Sequence, residues 1–138
     1  MRTRLYNNKE QIFCAWRHRW VRLTPEEWVR QQLLHTMVAQ MDYPVSRIAV
    51  EKAITVGDAR KRCDAVVYDE RLAPLMIIEC KAETVPLTQK TLDQAITYNR
   101  KLNVPYLLLS NGVQSIFVHG TDSYTTGLPR YTDLLRGE

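Results

Sequence analysis

The most restrictive feature of this sequence is a pair of short apolar segments that end in charged residues. Cys63–Tyr68 reads CDAVVY and Leu75–Lys81 reads LMIIECK, and both are typical of β-strands bounded by turn residues. Because only a short loop separates them, we expect the two strands to pair in an antiparallel hairpin. In the register that follows, Asp64 faces Glu79 directly. The sequence thus predicts two opposed carboxylates at one end of a buried hairpin.

Alternation along the second strand predicts that Lys81 shares the sheet face of Glu79 and Asp64. Two opposed carboxylates repel each other unless a cation compensates them, and Mg²⁺ or Mn²⁺ is suited to that role. Lys81 would then position or deprotonate a water molecule, or neutralise charge on a phosphate. The alternative is an ordinary cross-strand ion pair between Asp64 and Lys81, with Glu79 exposed to solvent. The same register predicts that Cys63 and Cys80 oppose each other on the other face as free thiols.

One helix is predicted before these strands in the sequence and a second helix after them. The first starts at Thr24, a natural N-cap followed by Pro25, and Glu27 is placed to complete a capping box. The apolar residues spaced four apart along this helix predict one buried stripe. These are Val29, Leu33, Met37 and Met41. The second helix is predicted over residues 88–102, between two prolines.

The remaining β-rich segments complete an α/β pattern. Residues 46–55 predict a strand before the hairpin, and Asn111-Gly112 predicts a tight turn between two more strands. The predicted order is α-β-β-β-α-β-β, a central mixed sheet flanked by helices. Residues 1–23 and the tail from Thr121 have no clear assignment. Arg17 and Arg22 in the first of these segments either contact phosphates or form part of a solvated face, which we favour.

Composition limits the class of protein. The chain has 138 residues, 45% hydrophobic and 25% charged, as expected for one folded domain over residues 1–138 with a core over about 12–119. A formal charge of +4 makes nucleic acid a plausible partner. No segment is long and apolar enough for a membrane span or a secretory signal, so we expect a cytoplasmic protein without a membrane partner. The three cysteines lack zinc-site spacing.

The arrangement of Asp64, then a hairpin, then Glu79-Cys80-Lys81 resembles the PD-(D/E)xK nuclease superfamily. In finer detail, six segments are similar, in order, to the N-terminal nuclease domain of type I restriction enzyme R subunits, over roughly residues 12–119. They are LTPEEWVRQ, VEKAI, KRCDAVVYD, IIECKA, DQAITYN and LLLSNG. The resemblance implies a restriction-endonuclease-like fold.

The resemblance also implies residue roles. Asp64, Glu79 and the carbonyl of Cys80 would hold Mg²⁺ or Mn²⁺, with Lys81 as the catalytic lysine. A glutamate on the first helix would complete the acidic cluster. Glu26 and Glu27 compete for that role, and Glu26 is preferred because it shares a helix face with the apolar stripe.

Gln94 and Tyr98 match the QxxxY helix motif of that family. The resemblance implies that they contact nucleic acid or support the catalytic lysine. The alternative is a core tyrosine beside a surface glutamine.

The expected function is therefore metal-dependent endonucleolytic hydrolysis of DNA. The chain ends at Glu138, where the restriction subunits continue into an ATP-driven motor, so we expect no ATP-dependent translocation. The expected protein is either a stand-alone nuclease or a domain cut from such an ancestor and reused. A homodimer or a partner subunit is compatible with the sequence. The alternative function is a non-cleaving nucleic-acid-binding or interaction domain of a defence or repair complex.

Overall fold

The computed structural model describes residues 1–120 and 123–137. The chain begins with a three-stranded antiparallel sheet of strands β1 (Thr3–Tyr6), β2 (Lys9–Cys14) and β3 (Arg19–Arg22). These strands lie in the segment that the sequence left unassigned. Their presence extends the folded domain to its N-terminal side beyond the predicted core.

In the described part of the chain, the main sheet has six strands, in the spatial order in which they occur along the chain. They are β4 (Ile48–Val56), β5 (Ala59–Tyr68), β6 (Pro74–Cys80), β7 (Tyr106–Ser110), β8 (Ser115–His119) and β9 (Ser123–Thr126). All neighbours pair antiparallel except β6 and β7, which are parallel. A parallel pair needs a crossover connection, and a helix supplies it here.

Within residues 1–120 and 123–137, three helices cover this sheet. They are α1 (Pro25–Gln40), α2 (Gln89–Leu102) and the short α3 (Tyr131–Arg136), and a 3₁₀ turn (Val45–Arg47) precedes β4. The predicted α-β-β-β-α-β-β order over the centre of the chain is confirmed. The structure adds β1 to β3 before it, and β9 and α3 after it. No helix in residues 1–120 or 123–137 has the length and apolar character needed to cross a bilayer.

The tail beyond residue 119 belongs to the fold, apart from Thr121 and Asp122, which lie outside the described residues. Tyr131 and Leu134 in α3 are buried in the same core as α1. The hydroxyl of Tyr131 donates to the carbonyl of Tyr68 at 2.9 Å, and that of Tyr43 donates to the carbonyl of Pro129. The first contact attaches α3 to strand β5, and the second attaches the segment before α3 to the loop after α1.

The sheet separates two hydrophobic cores. Val67 and Ile78 pack on the side of α1, whereas Val66 and Ile77 pack on the side of α2. This alternation follows from the side-chain period of two in a strand. The result is a three-layer arrangement with the mixed sheet in the middle.

The first helix follows its sequence signals closely at its start. Thr24 Oγ1 accepts a hydrogen bond from the Glu27 backbone N–H at 3.0 Å, with Pro25 at the first helical position. Val29 and Met37 on the predicted stripe are buried, whereas Met41 lies beyond the helix end and is half-buried. The helix therefore forms where the sequence predicts.

The predicted register of the central hairpin is confirmed for the pairs Ala65–Ile78 and Val66–Ile77. The ladder is irregular beyond Val67, where a bulge shifts the register. At the other end, the paired residues stop at Ala65–Ile78, so Asp64 and Glu79 do not form the directly opposed pair that the sequence predicts.

The hairpin of β7 and β8 is also present, but its turn is longer than predicted. Ser110 pairs with Ser115, which leaves four residues in the connection. Asn111 Oδ1 accepts hydrogen bonds from the backbone N–H groups of Val113 and Gln114 and so closes the turn. Gly112 has φ +87°, and an added Cβ there would lie 3.3 Å from Val29 Cγ2.

Candidate active site

At Asp64 the regular alternation of strand β5 breaks: the residues on its two sides, Cys63 and Ala65, pack on opposite faces of the sheet. The neighbouring strand pairs Val50 with Ala65 and Lys52 with Cys63, and Glu51 between them has φ +53°. This left-handed residue interrupts the regular alternation. Across the same position of β5, Ala65 packs on the α1 side, whereas Cys63, two residues earlier, packs on the α2 side.

This break corrects one prediction about the cysteines. Cys80 packs in the α1-side core and Cys63 in the α2-side core, so they do not oppose each other on one face. The prediction that both are free, buried thiols is confirmed. Burial raises the pKa of Cys63 to about 11, helped by the nearby Glu79 carboxylate, and burial also raises the pKa of Cys80. Both thiols are therefore protonated at neutral pH.

The carboxylate of Asp64 is oriented by the next strand. Its Oδ2 accepts the backbone N–H of Cys80 at 2.7 Å, and its Oδ1 lies 3.8 Å from Nη1 of Arg30 in α1. Arg30 Nη1 also donates to the Asp64 carbonyl at 3.3 Å. Asp64 thus faces the α1 side of the sheet, with about a third of its side chain exposed.

Glu79 faces the other side. Its neighbours Ile78 and Cys80 pack toward α1, which leaves the Glu79 side chain on the α2 side. There its Oε1 lies 2.5 Å from Nζ of Lys61, a residue of β5. The alternative of a cross-strand Asp64–Lys81 ion pair is wrong, since Lys81 forms no ion pair within the described part of the chain.

Lys81 and the helix motif meet Glu79 at one cavity of about 200 Å³ on the α2 side. Its polar lining includes Lys61, Glu79, Lys81, Gln94 and Tyr98. The spacing of four in the motif places Gln94 and Tyr98 on the same face of α2. Four residues singled out from the sequence are therefore brought together, and Lys61 joins them.

Tyr98 is fixed within this cavity. Its hydroxyl donates to the carbonyl of Arg60 at 2.6 Å, and the Lys61 ammonium lies 5.0 Å from the centre of its ring. The backbone N–H of Lys81 donates to the Ser110 carbonyl at 2.8 Å, which extends the parallel pairing past the end of β6. Tyr98 is half-buried: it lines the cavity and also packs against the α2-side core, whereas Gln94 is exposed.

A second cavity of about 540 Å³ lies on the α1 side. Its charged lining includes Asp64, Glu26, Glu27, Glu51, Arg17 and Arg30. The Asp64 carboxylate, which lines this second cavity, binds the N–H of the peptide unit that joins Glu79 to Cys80.

Glu27 is fully engaged inside this second cavity. Arg17 Nη2 donates to it at 2.7 Å, Gln31 Nε2 at 2.8 Å, and Arg30 with two nitrogens. Burial alone would raise its pKa, but the hydrogen bonds from Arg30, Arg17 and Gln31 outweigh burial and hold that pKa at about 2. The Glu27 carboxylate therefore binds these side chains instead of the backbone N–H of Thr24. Of the capping box, only the hydrogen bond from the Glu27 N–H to Thr24 Oγ1 is formed.

Glu26 differs from Glu27 although the two are adjacent in the sequence. It is exposed, lines the same cavity as Asp64, and forms no ion pair among residues 1–120 and 123–137. Of the two glutamates, Glu26 has the carboxylate that is free to bind a ligand.

Sequence reasoning missed three basic residues of the site. Arg17 was assigned to a solvated face, yet its side chain is 13% exposed and pairs with Glu27 and Glu51. Arg30 follows Glu27 by three residues, a spacing that places both on one helix face. Lys61 precedes Asp64 by three residues, and no sequence pattern links it to Glu79.

The donor set fits a hard cation in its chemistry. Asp64, Glu79 and the Cys80 carbonyl all offer oxygen atoms, as Mg²⁺ and Mn²⁺ prefer. In the described arrangement each carboxylate already has a cationic neighbour, Lys61 for Glu79 and Arg30 for Asp64. No group of three or more acidic, histidine or cysteine side chains is placed to hold a metal in the part of the chain that the structure describes.

A mixed sheet between two helical layers, with an acid and a lysine at the end of its central strand, is the restriction-endonuclease-like class of nuclease fold. A family model described as the type I restriction enzyme R protein N terminus matches residues 25–129. The chain belongs to this family. No curated protein matches it.

Two solved structures share the fold. A fragment of a candidate HsdR subunit of a type I restriction enzyme from Vibrio vulnificus YJ016 has a TM-score of 0.65 and 17% identity, covering 83% of this chain and 25% of that one. A nuclease candidate of the DUF820 group from Anabaena variabilis ATCC 29413 has a TM-score of 0.53 and 11% identity, covering 95% and 92%. This chain thus spans about a quarter of the HsdR fragment.

Proposed function

We propose that this domain is an endonuclease that hydrolyses DNA phosphodiester bonds with Mg²⁺ or Mn²⁺. The observation that carries the proposal is the convergence of Glu79, Lys81, Gln94 and Tyr98 on one cavity, with the Asp64 carboxylate bound to the adjoining peptide N–H. The family relation supports a DNA substrate. The domain would act in the cytoplasm, alone, as a homodimer or with a partner subunit.

Asp64, Glu79 and the Cys80 carbonyl would hold the metal, with Glu26 as the additional carboxylate from α1. When bound, such a metal supplies a Lewis acid for the phosphate and lowers the pKa of a bound water. The ion pair between Lys61 and Glu79 must open for Glu79 to serve as a ligand. Lys61 therefore competes with the metal for Glu79 in this proposal.

Lys81 would touch the substrate. Its ammonium has no acidic partner among the described residues, and it lines the same cavity as Glu79. A positive charge held there attracts the scissile phosphate, stabilises the charge that builds on its oxygens, and orients the attacking water. Gln94 and Tyr98 line the same cavity and would contact the DNA backbone beside the scissile bond.

A second function is supported by a specific observation. Both candidate ligands are neutralised by side chains of the protein itself, Glu79 by Lys61 and Asp64 by Arg30. A domain in which these pairs persist would bind nucleic acid without cutting it.

A cleavage assay separates the two functions. Supercoiled plasmid, linear duplex, single-stranded DNA and RNA are incubated with the protein and Mg²⁺, Mn²⁺ or EDTA. The nuclease proposal expects cleavage of DNA that requires the metal and is lost in Lys81→Ala. Salt-dependent binding with no cleavage of any substrate would replace it with the binding-domain function.

A further inference from the structure

The three-stranded N-terminal sheet has one face that carries only basic, aromatic and amide side chains. The pairing of β1 with β2 and of β2 with β3 fixes which residues share this face. We define the outer face by these residues: Arg2, Arg4, Tyr6, Lys9, Gln11, Phe13, Trp20 and Arg22. It contains four cations and three aromatic rings, with no carboxylate among them. The opposite face carries Ile12 and Cys14, which are fully buried.

The charges of the outer face are not compensated by the protein. Arg2, Arg4, Lys9 and Arg22 are all exposed, and none forms an ion pair within the described residues. The aromatic rings hold two of the guanidinium groups in place. Arg2 lies 4.2 Å from the centre of the Phe13 ring, and Arg4 lies 4.3 Å from that of Trp20.

Such an arrangement is suited to polyanions with regularly spaced phosphates. A guanidinium held over a ring keeps its N–H groups available for phosphate oxygens, and its immobilisation lowers the entropy lost on binding. Gln11 further orients Arg4 by accepting from its Nε at 2.7 Å. The rings themselves are partly covered by the arginines, so the face offers phosphate contacts more than base stacking.

The outer face is continuous with the α1-side cavity. Trp20 and Arg22 of β3 line that cavity together with Asp64 and Glu26. A strand bound across the outer face would thus reach the rim of the candidate active site. The residues of this face precede the range matched by the family model, which starts at residue 25.

We propose that the outer face of the N-terminal sheet is a nucleic-acid binding surface that contacts the phosphate backbone without reading its sequence. It acts as an anchoring site separate from the residues that would cut the strand. The inference does not require cleavage, because binding is measured without a divalent metal.

The test measures binding by fluorescence anisotropy, in EDTA, with labelled single-stranded and duplex DNA. Three doubly substituted proteins are compared with the wild type. Arg2→Gln with Arg4→Gln removes two charges from the outer face. Arg71→Gln with Arg136→Gln is the matched control, because both residues are exposed and lie outside the outer face. This variant also loses two positive charges.

The proposal expects about a tenfold loss of affinity in the Arg2/Arg4 glutamine variant and less than about a twofold loss in the control. For single-stranded DNA, the slope of the logarithm of the binding constant against the logarithm of the salt concentration should become shallower by about 1.4. This change corresponds to the loss of two phosphate contacts. Arg2→Lys with Arg4→Lys keeps the charge, so it should retain that slope. This third variant also guards against misfolding of the sheet.

Equal losses in the outer-face variant and its control would overturn the proposal, because net charge alone would then explain binding. So would an unchanged affinity in the outer-face variant. Binding of the wild type to vesicles containing phosphatidylserine, with no measurable binding to DNA, would assign the face to a membrane surface instead. None of these results bears on whether the domain cleaves DNA, which the metal-dependent assay decides separately.

Discussion

The two cavities that flank the central hairpin hold their carboxylates in different ways. On the α1 side, Glu27 is 6% exposed and is bound by two arginines and a glutamine. On the α2 side, Glu79 meets a single lysine at a partly exposed position. A buried arginine fork is a rigid partner, whereas lysine on a flexible stem is easily displaced. We therefore expect the buried cluster on the α1 side to contribute more to stability, and the ion pair of Glu79 on the α2 side to be more easily displaced.

The largest expected effect is on the α2 side. Lys81→Ala should lower the rate of DNA cleavage about a thousandfold, because one positioned cation at the reacting phosphate is lost. The free energy of unfolding and the affinity for DNA in EDTA should change little. Single-turnover cleavage and anisotropy measure the two quantities. Lys101→Ala is the control, since Lys101 is an exposed lysine near Tyr98 without a place in the cavity. Equal loss in both variants would remove Lys81 from the site.

On the α1 side the expected effect is on stability. Glu27→Ala leaves Arg17 and Arg30 without their shared carboxylate and should lower the free energy of unfolding by about 3 kcal/mol. Glu26→Ala, the adjacent and exposed control, should lie within about 0.5 kcal/mol of the wild type. Urea unfolding measures both. A small effect of Glu27→Ala would mean that Glu51 and Asp64 replace it as partners of the arginines.

The same cluster predicts a pH dependence. The pKa of Glu27 is about 2 in the folded protein and 4.5 as the ordinary reference. Because the folded value is the lower one, its contribution is present above pH 4.5 and is lost as the pH falls toward 2. The contribution is about 3 kcal/mol at most. Urea unfolding at several acidic pH values should show a steeper loss in the wild type than in Glu27→Gln. Parallel pH curves would contradict the assignment.

The smallest expected effect concerns Lys61. Lys61→Gln removes the cation that now neutralises Glu79, so the affinity for Mn²⁺ should rise by about fivefold, the equivalent of about 1 kcal/mol for a partly exposed ion pair. Lys101→Gln is matched to it, because both ammonium groups lie near the Tyr98 ring but only Lys61 pairs with Glu79. Titration calorimetry compares the two. A weaker Mn²⁺ affinity in Lys61→Gln would show that Lys61 supports the site instead of competing for it.

Much of the fold follows from local sequence signals. The N-cap at Thr24, the apolar stripe of α1 and the register of Ala65 with Ile78 are confirmed because each depends on short-range geometry. The three N-terminal strands were missed because their basic and aromatic residues show no simple apolar alternation. A strand is identified in a sequence by alternation of apolar and polar residues, which arises when one face packs on an apolar core. The outer face of these strands carries basic and aromatic residues, so that alternation is weak.

The site was harder to predict than the fold. Period-two reasoning placed Asp64 opposite Glu79, but the left-handed backbone of Glu51 breaks the alternation at that point. A non-glycine residue with positive φ is not foreseeable from side-chain type. The ion pair of Lys61 with Glu79 joins two strands and depends on that same break. Strand alternation predicts Lys81, and the QxxxY motif predicts Gln94 and Tyr98; the structure places these three side chains at one cavity, and their roles stay predictions.

The central claim is that Asp64 and Glu79, which face different cavities, act on one metal ion. Titration calorimetry with Mn²⁺, in the absence of DNA, tests it with the wild type, Asp64→Asn, Glu79→Gln and Lys81→Ala. The account predicts one bound ion in the wild type and in Lys81→Ala, and no measurable binding in either carboxylate variant. Wild-type binding of Mn²⁺ in either Asp64→Asn or Glu79→Gln would contradict it, because the ion would then bind without that carboxylate.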